Sequence, residues 1–307
     1  LPAQADKTFE RVAQKLAPQS KLLRTWALQG GISAQVTALE LEQPDGNRRK
    51  LIVRQHGPVD LQQNPQIAAD EYRLLQFLRS IGLAAPMPYY LDQSGEIFPT
   101  PYIVLEYIEG QPEFAPANLS ALLLQFAMHL SRVHQVDGAK PEVSFLPKQT
   151  QRYTDKLKAC PAQADESEDV GRIRAALEAV WPLPQRNPSV LLHGDFWPGN
   201  LLWRDGQLVG IIDWEDAAVG DPLADVANSR LEILWAFGID AMQEFTQQYQ
   251  ALTTIDWTNL PYWELCAAWR LAPQIASGAA DAEQTMRERY GWFLTQAFAA
   301  LAVRAKP

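Results

Sequence analysis

The apolar residues of this chain change period near residue 110, and that change limits it to a small sheet followed by a mostly helical body. Residues 22–29, 34–42 and 50–55 read as short strands, with Gly30-Gly31-Ile32-Ser33 joining the first two and Pro44-Asp45-Gly46-Asn47 turning into the third. Ahead of them, Phe9, Val12, Ala13 and Leu16 recur at helical spacing until Pro18. Residues 66–79 return to that spacing through Ile67, Leu74, Leu75 and Leu78, and 102–107 form an apolar strand. Gly110, Pro112 and Pro116 then break the chain. Beyond them the spacing predicts helices over 118–136, 168–180, 222–237, 240–251, 258–275 and 280–302, with 141–168 as a polar loop leading into a weak helix.

One extended patch interrupts the helical half, LLHGDFWPGNLLWRDGQLVGIIDWED, in which Asp205-Gly206 separates two apolar runs as a hairpin turn does. It sets an Asp beside a His-Gly pair, an Asn five residues later and a second Asp across the hairpin. Three oxygen ligands of this kind suit magnesium, a hard cation that takes few protein ligands and fills its shell from substrate phosphates. The reading points to phosphoryl transfer.

Bulk properties exclude several alternatives. At 307 residues, 47% apolar and 21% charged, the chain has ordinary globular composition and the length for two lobes. A net charge of −9 with no run of Lys or Arg argues against a nucleic-acid partner. From Asp205 onward six basic residues face fourteen acidic ones, so the last third carries most of the excess. Cys160 and Cys266 stand far apart, which indicates neither a disulfide framework nor a thiolate metal site and fits a cytoplasmic setting. The start, LPAQADKTFE, lacks a basic and apolar leader, and YGWFLTQAFAALAV is shorter than a bilayer requires, so no membrane partner is expected.

HGDFWPGN at 193–200 and IIDWED at 211–216 resemble the paired motifs of the aminoglycoside phosphotransferase and choline kinase superfamily, whose fold is protein-kinase-like. The resemblance implies an α+β bilobal fold with a small antiparallel-sheet N-lobe and a mostly helical C-lobe. Residues 1–108 would be the nucleotide-binding lobe with a hinge at its end, and 109–307 the catalytic and substrate-binding lobe. It implies Asp195 as catalytic base, Asn200 and Asp213 as Mg2+ ligands, and ATP as phosphoryl donor. His193 is expected to pack and orient its loop, and Asp225, in GDPLADVA, to accept backbone hydrogen bonds there.

Upstream, QGGISAQVTALEL resembles the family's nucleotide loop, so Gly30, Gly31 and Ser33 are expected at the phosphates. LIVR resembles the strand that carries a phosphate-binding cation. Arg54 stands where many relatives have Lys, Glu71 is its expected ion-pair partner, and Lys50 is the second candidate for the role. IVLEYIEGQP resembles the hinge, where the backbone of Glu106 and Ile108 would read the adenine edge.

The expected activity is a small-molecule kinase that phosphorylates a hydroxyl of an amino sugar, amino alcohol, sugar or related compound. The chain lacks the HRD and APE motifs of protein kinases. A catalytically silent nucleotide-binding module is the alternative, motivated by Arg54. The acceptor, the choice of ATP over GTP and the oligomeric state are open at this point.

Overall fold

The structure is a computed structural model and describes residues 7–28, 34–159, 168–276 and 282–304. The chain forms two compact units, Leu1–Gly110 with Val209–Glu215, and Gln111–Leu208 with Asp216–Pro307. The seven residues Val209–Glu215 return to the first unit, so no single cut separates the two.

The first unit runs α1 (Lys7–Leu16), β1 (Lys21–Ala27), β2 (Ala34–Glu42), β3 (Arg48–His56), α2 (Pro58–Gln63), α3 (Ile67–Ser80), β4 (Pro88–Asp92) and β5 (Tyr102–Glu106). Its sheet has the order β1-β2-β3-β5-β4 and every pairing is antiparallel. Because side chains alternate across a strand, Leu39, Leu41, Leu51, Val53, Tyr102 and Val104 share one face, where they pack on Phe9, Val12 and Ala13 of α1. Each of these large side chains contributes roughly 1.5–3 kcal/mol by leaving water. The same alternation puts Arg54 and His56 on the opposite face, toward α3, whose Glu71, Leu74, Leu75 and Leu78 are buried. The strand period therefore determines which ionic groups meet Glu71.

The second unit holds α4 (Leu119–Val133), α5 (Gln149–Ala159), α6 (Glu168–Glu178), β6 (Val190–Leu192), a 3-10 turn at Pro198–Asn200 and β7 (Leu201–Arg204). After β8 (Gln207–Ile211) come β9 (Ala218–Gly220), α7 (Leu223–Phe237), α8 (Ile239–Leu252), α9 (Leu260–Ala276) and α10 (Ala282–Arg304). β7 and β8 make a hairpin whose two central residues, Asp205 and Gly206, have φ of 52° and 72°, the left-handed pair that a two-residue turn needs. β6 pairs with β9.

α7 is the axis of this unit. Every residue from Leu223 to Leu234 is buried, and α8, α9 and α10 pack around it. A helix buried on all sides has no stripe of polarity, and its polar members must find partners inside. Asp225 and Ser229 find theirs at the loop that follows β6, and Arg230 pairs with Glu264 of α9. The sequence expectation of a sheet followed by helices agrees with this architecture; α2, β4, α5, β6 and β9 are additions to it. Among the described residues, no helix is long and apolar enough to cross a membrane.

Candidate active site

The loop between β6 and β7 presents Asp195 and Asn200, and its shape is enforced from beneath. Asp225, in the first turn of α7 and 1% exposed, accepts hydrogen bonds from the backbone N–H of His193 at 2.7 Å and of Gly194 at 2.9 Å. His134 Nε2 lies 3.2 Å from the same carboxylate, and His134 Nδ1 is 2.6 Å from the Tyr249 hydroxyl. Burial disfavours the charge of Asp225, but His134 and the two backbone donors outweigh it and hold its pKa below the ordinary carboxylate value. Gly194 has φ of +84°, and a Cβ there would collide with the Asp216 carbonyl, so the turn admits glycine alone. His193 is fully buried, with Nδ1 accepting from the Asp195 N–H at 3.2 Å, a bracing position rather than a ligand position.

Asn200 donates through Nδ2 to the Asp195 carbonyl at 3.0 Å and to Asp195 Oδ2 at 3.1 Å, so its amide oxygen takes no part in these two bonds. On the other side of the carboxylate stands Arg270 of α9. Its Nη1 donates to the Gly194 carbonyl at 2.6 Å, and its Nη2 pairs with Asp195 Oδ1. Burial opposes the charge on Arg270, and the Asp195 and Asp216 carboxylates overcome that and raise its pKa. Arg152 donates to the Asp216 carbonyl at 2.8 Å. Glu232, on α7, is 8% exposed, and burial together with the charge of Asp195 pushes its pKa up to about 7, against the pull of Arg270.

In the first unit Arg54 is the hub. Its Nε donates to Glu71 Oε2 at 3.2 Å and its Nη2 to Asp213 Oδ1 at 2.7 Å, and Nη2 also pairs with Glu215. Burial disfavours the guanidinium charge, but these three carboxylates more than offset it and raise the pKa. Burial opposes the charge at Glu71 as well, and Arg54 and His56 together overcome it and lower its pKa. Asp213 adopts φ of +65°, costly for a residue with a Cβ, and the neighbouring Trp214 indole holds the turn by donating to the Ile211 carbonyl at 2.9 Å. Asp213 Oδ1 is the oxygen that accepts from Arg54.

Of the remaining residues singled out from sequence, Glu106 ends β5 and its N–H donates to the Met87 carbonyl at 2.8 Å, while Ile108 follows just beyond the strand. Lys50 is engaged with Glu109 at 2.7 Å, away from the Arg54 cluster. Gly30, Gly31 and Ser33 lie outside the described residues. Sequence reasoning missed Arg270, Glu232 and His56. Arg270 sits in the amphipathic run ELCAAWRLA, where a lone arginine carries no local signal for a partner 75 residues away.

The model of the phosphotransferase enzyme family matches residues 27–269. The chain is 26% identical over 216 residues to acyl-CoA dehydrogenase family member 10 of Mus musculus, covering 65% of this chain and 20% of that protein. It is 29% identical over 171 residues to viomycin phosphotransferase of Streptomyces vinaceus, covering 50% of this chain and 58% of that one. The chain thus spans about a fifth of the first relative's length. A macrolide 2'-phosphotransferase structure from Brachybacterium faecium superposes with a TM-score of 0.64 at 19% identity, over 94% of this chain and 98% of that one. Amicoumacin kinase in complex with AMP-PNP, Ca2+ and Ami gives a TM-score of 0.64 at 15% identity, over 95% and 93%.

Proposed function

Because the chain belongs to the phosphotransferase enzyme family, we propose that it is a small-molecule kinase that moves the γ-phosphoryl group of ATP to a hydroxyl of a small acceptor. The observation that carries this reading is the Asp195–Asn200 loop, clamped by Asp225 and bounded by Arg270. A base for this chemistry has to be oriented and close to an oxygen that can bind a metal, and the hydrogen bonds between Asn200 and Asp195 support that reading.

In the proposed reaction the acceptor hydroxyl gives its proton to the Asp195 carboxylate as its oxygen bonds to the γ-phosphorus, and the bond from phosphorus to the β–γ bridging oxygen breaks to release ADP. Arg270 and Asn200 hold the carboxylate aimed while each oxygen retains a lone pair. Asn200 and Asp213 would hold magnesium, a fit supported by their hard oxygen donors, and the ion when bound neutralises charge on the phosphates. Arg54, kept charged by its carboxylates, would contact the phosphates, with Glu71 fixing its position; Gly30, Gly31 and Ser33 would supply loop donors. The Glu106 carbonyl and the Ile108 N–H would read the adenine edge. In this reading residues 1–108 form the nucleotide lobe, 109–307 the catalytic lobe, and the protein works in the cytoplasm.

The test is magnesium-dependent ATP consumption by the wild type and Asp195→Ala across amino sugars, amino alcohols, sugars and macrolides. Wild-type turnover with one acceptor class, reduced about 10²–10⁴-fold in the variant, is expected. ATP binding with no Asp195-dependent product would favour a silent nucleotide-binding module. Failure to bind ATP at all would end the proposal.

A further inference from the structure

A second group of ligating side chains lies in the first unit and shares Glu215, whose Oε2 also pairs with Arg54, with the cluster described above. His56 ends β3, Asp60 lies in the first turn of α2, and Glu215 follows Asp213-Trp214. One ligand atom from each of the three lies within 4.8 Å of the other two. The local sequence explains the first two: Pro58 starts α2 directly after the strand, so Asp60 is turned back beside His56.

The cluster has polar atoms that the protein itself leaves unserved. His56 is 3% exposed; its Nδ1 and Asp60 Oδ2 are shut off from solvent, and neither has a hydrogen-bond partner among the described residues. Each such buried atom is destabilising unless something binds it. Nδ1 faces Glu215 Oε2 at 4.0 Å, a separation that one ion can bridge with bonds of about 2 Å to each. The other ring nitrogen, Nε2, lies 2.9 Å from Glu71 Oε2, although the ring is turned off the line of a well-formed hydrogen bond. A carboxylate behind the non-ligating nitrogen is the usual companion of a metal-bound imidazole.

Charge favours a cation as well. Around the cluster stand the carboxylates of Asp60, Glu71, Asp213 and Glu215, and the one guanidinium among them, Arg54, leaves negative charge in excess. One imidazole nitrogen with two carboxylate oxygens selects a borderline divalent ion of the zinc, manganese and cobalt class; magnesium and calcium take oxygen in preference to imidazole. We propose that His56, Asp60 and Glu215 form a site for a divalent transition-metal ion, separate from the magnesium that accompanies the nucleotide. The site stands on its own geometry and does not require the kinase reading.

The experiment is equilibrium dialysis of the metal-stripped full chain against zinc, with magnesium in large excess and bound zinc measured by elemental analysis. The wild type is expected to bind one zinc per chain, and Asp60→Asn and His56→Gln to bind it at least tenfold more weakly. Asp60 lies on a partly exposed helix, so Asp60→Asn keeps the test usable if the buried His56 variant fails to fold. Asn200→Ala is expected to keep zinc binding. No zinc on the wild type, equal affinity in Asp60→Asn, or loss of zinc in Asn200→Ala would each overturn the assignment.

Discussion

At the scale of single residues, Asp225 and Glu232 show how one buried helix treats two carboxylates differently. Asp225 accepts two backbone hydrogen bonds and faces His134, so its ionised form is stabilised in the fold. Asp225→Asn should lower stability by about 3 kcal/mol, read from the urea midpoint, because an amide offers fewer acceptors and no charge. The folded pKa of Asp225 is depressed, so its contribution is present at neutral pH and is lost as pH falls through the folded value. Glu232 has the opposite sign. With an ordinary value of 4.5 raised to about 7, it binds a proton more readily folded than unfolded, and stability should fall as pH rises between those values. Glu232→Gln should therefore raise Tm at pH 8 and leave it nearly unchanged at pH 4. Asp195, Asn200 and Asp213 were legible in the sequence because eight- and six-residue motifs hold them. Arg270, Asp60 and His56 were not, since their significance comes from partners that only folding brings near.

Among the elements, the loop from His193 to Asn200 is the one whose backbone cannot vary. Gly194→Ala combines a left-handed φ with a collision at the Asp216 carbonyl. It should lower stability by more than about 1 kcal/mol and remove most phosphorylating activity, measured by denaturation and by ATP turnover in parallel. The strands β1, β2 and β3 and the long helices followed from periodicity with small shifts of their ends. α2 escaped notice because six residues are too few to show a period, and β6 and β9 because three are. β4 begins on Pro88 at the edge of the sheet, where the missing N–H is tolerated, so a proline that reads as leading into extended chain opens a strand. α5 buries only Tyr153, and so polar a helix reads as loop.

For the whole molecule, the −9 charge with no basic run in the sequence argues against a phosphate backbone as partner, whereas the proposed nucleotide needs only the local charge at Arg54. Magnesium with AMP-PNP should raise Tm by several degrees, since ligand at a hundred times its Kd adds about 2.7 kcal/mol; an unchanged Tm would count against nucleotide binding. The passage of Val209–Glu215 back into the first unit bears on how members of such a family exchange parts. A chimera joined once at residue 110 would take Asp213 and Glu215 from one parent and Arg54 and Glu71 from the other, splitting an ion cluster whose members contact one another. Recombination of acceptor preference between relatives would thus need three junctions, with the heptapeptide travelling alongside the N-terminal parent.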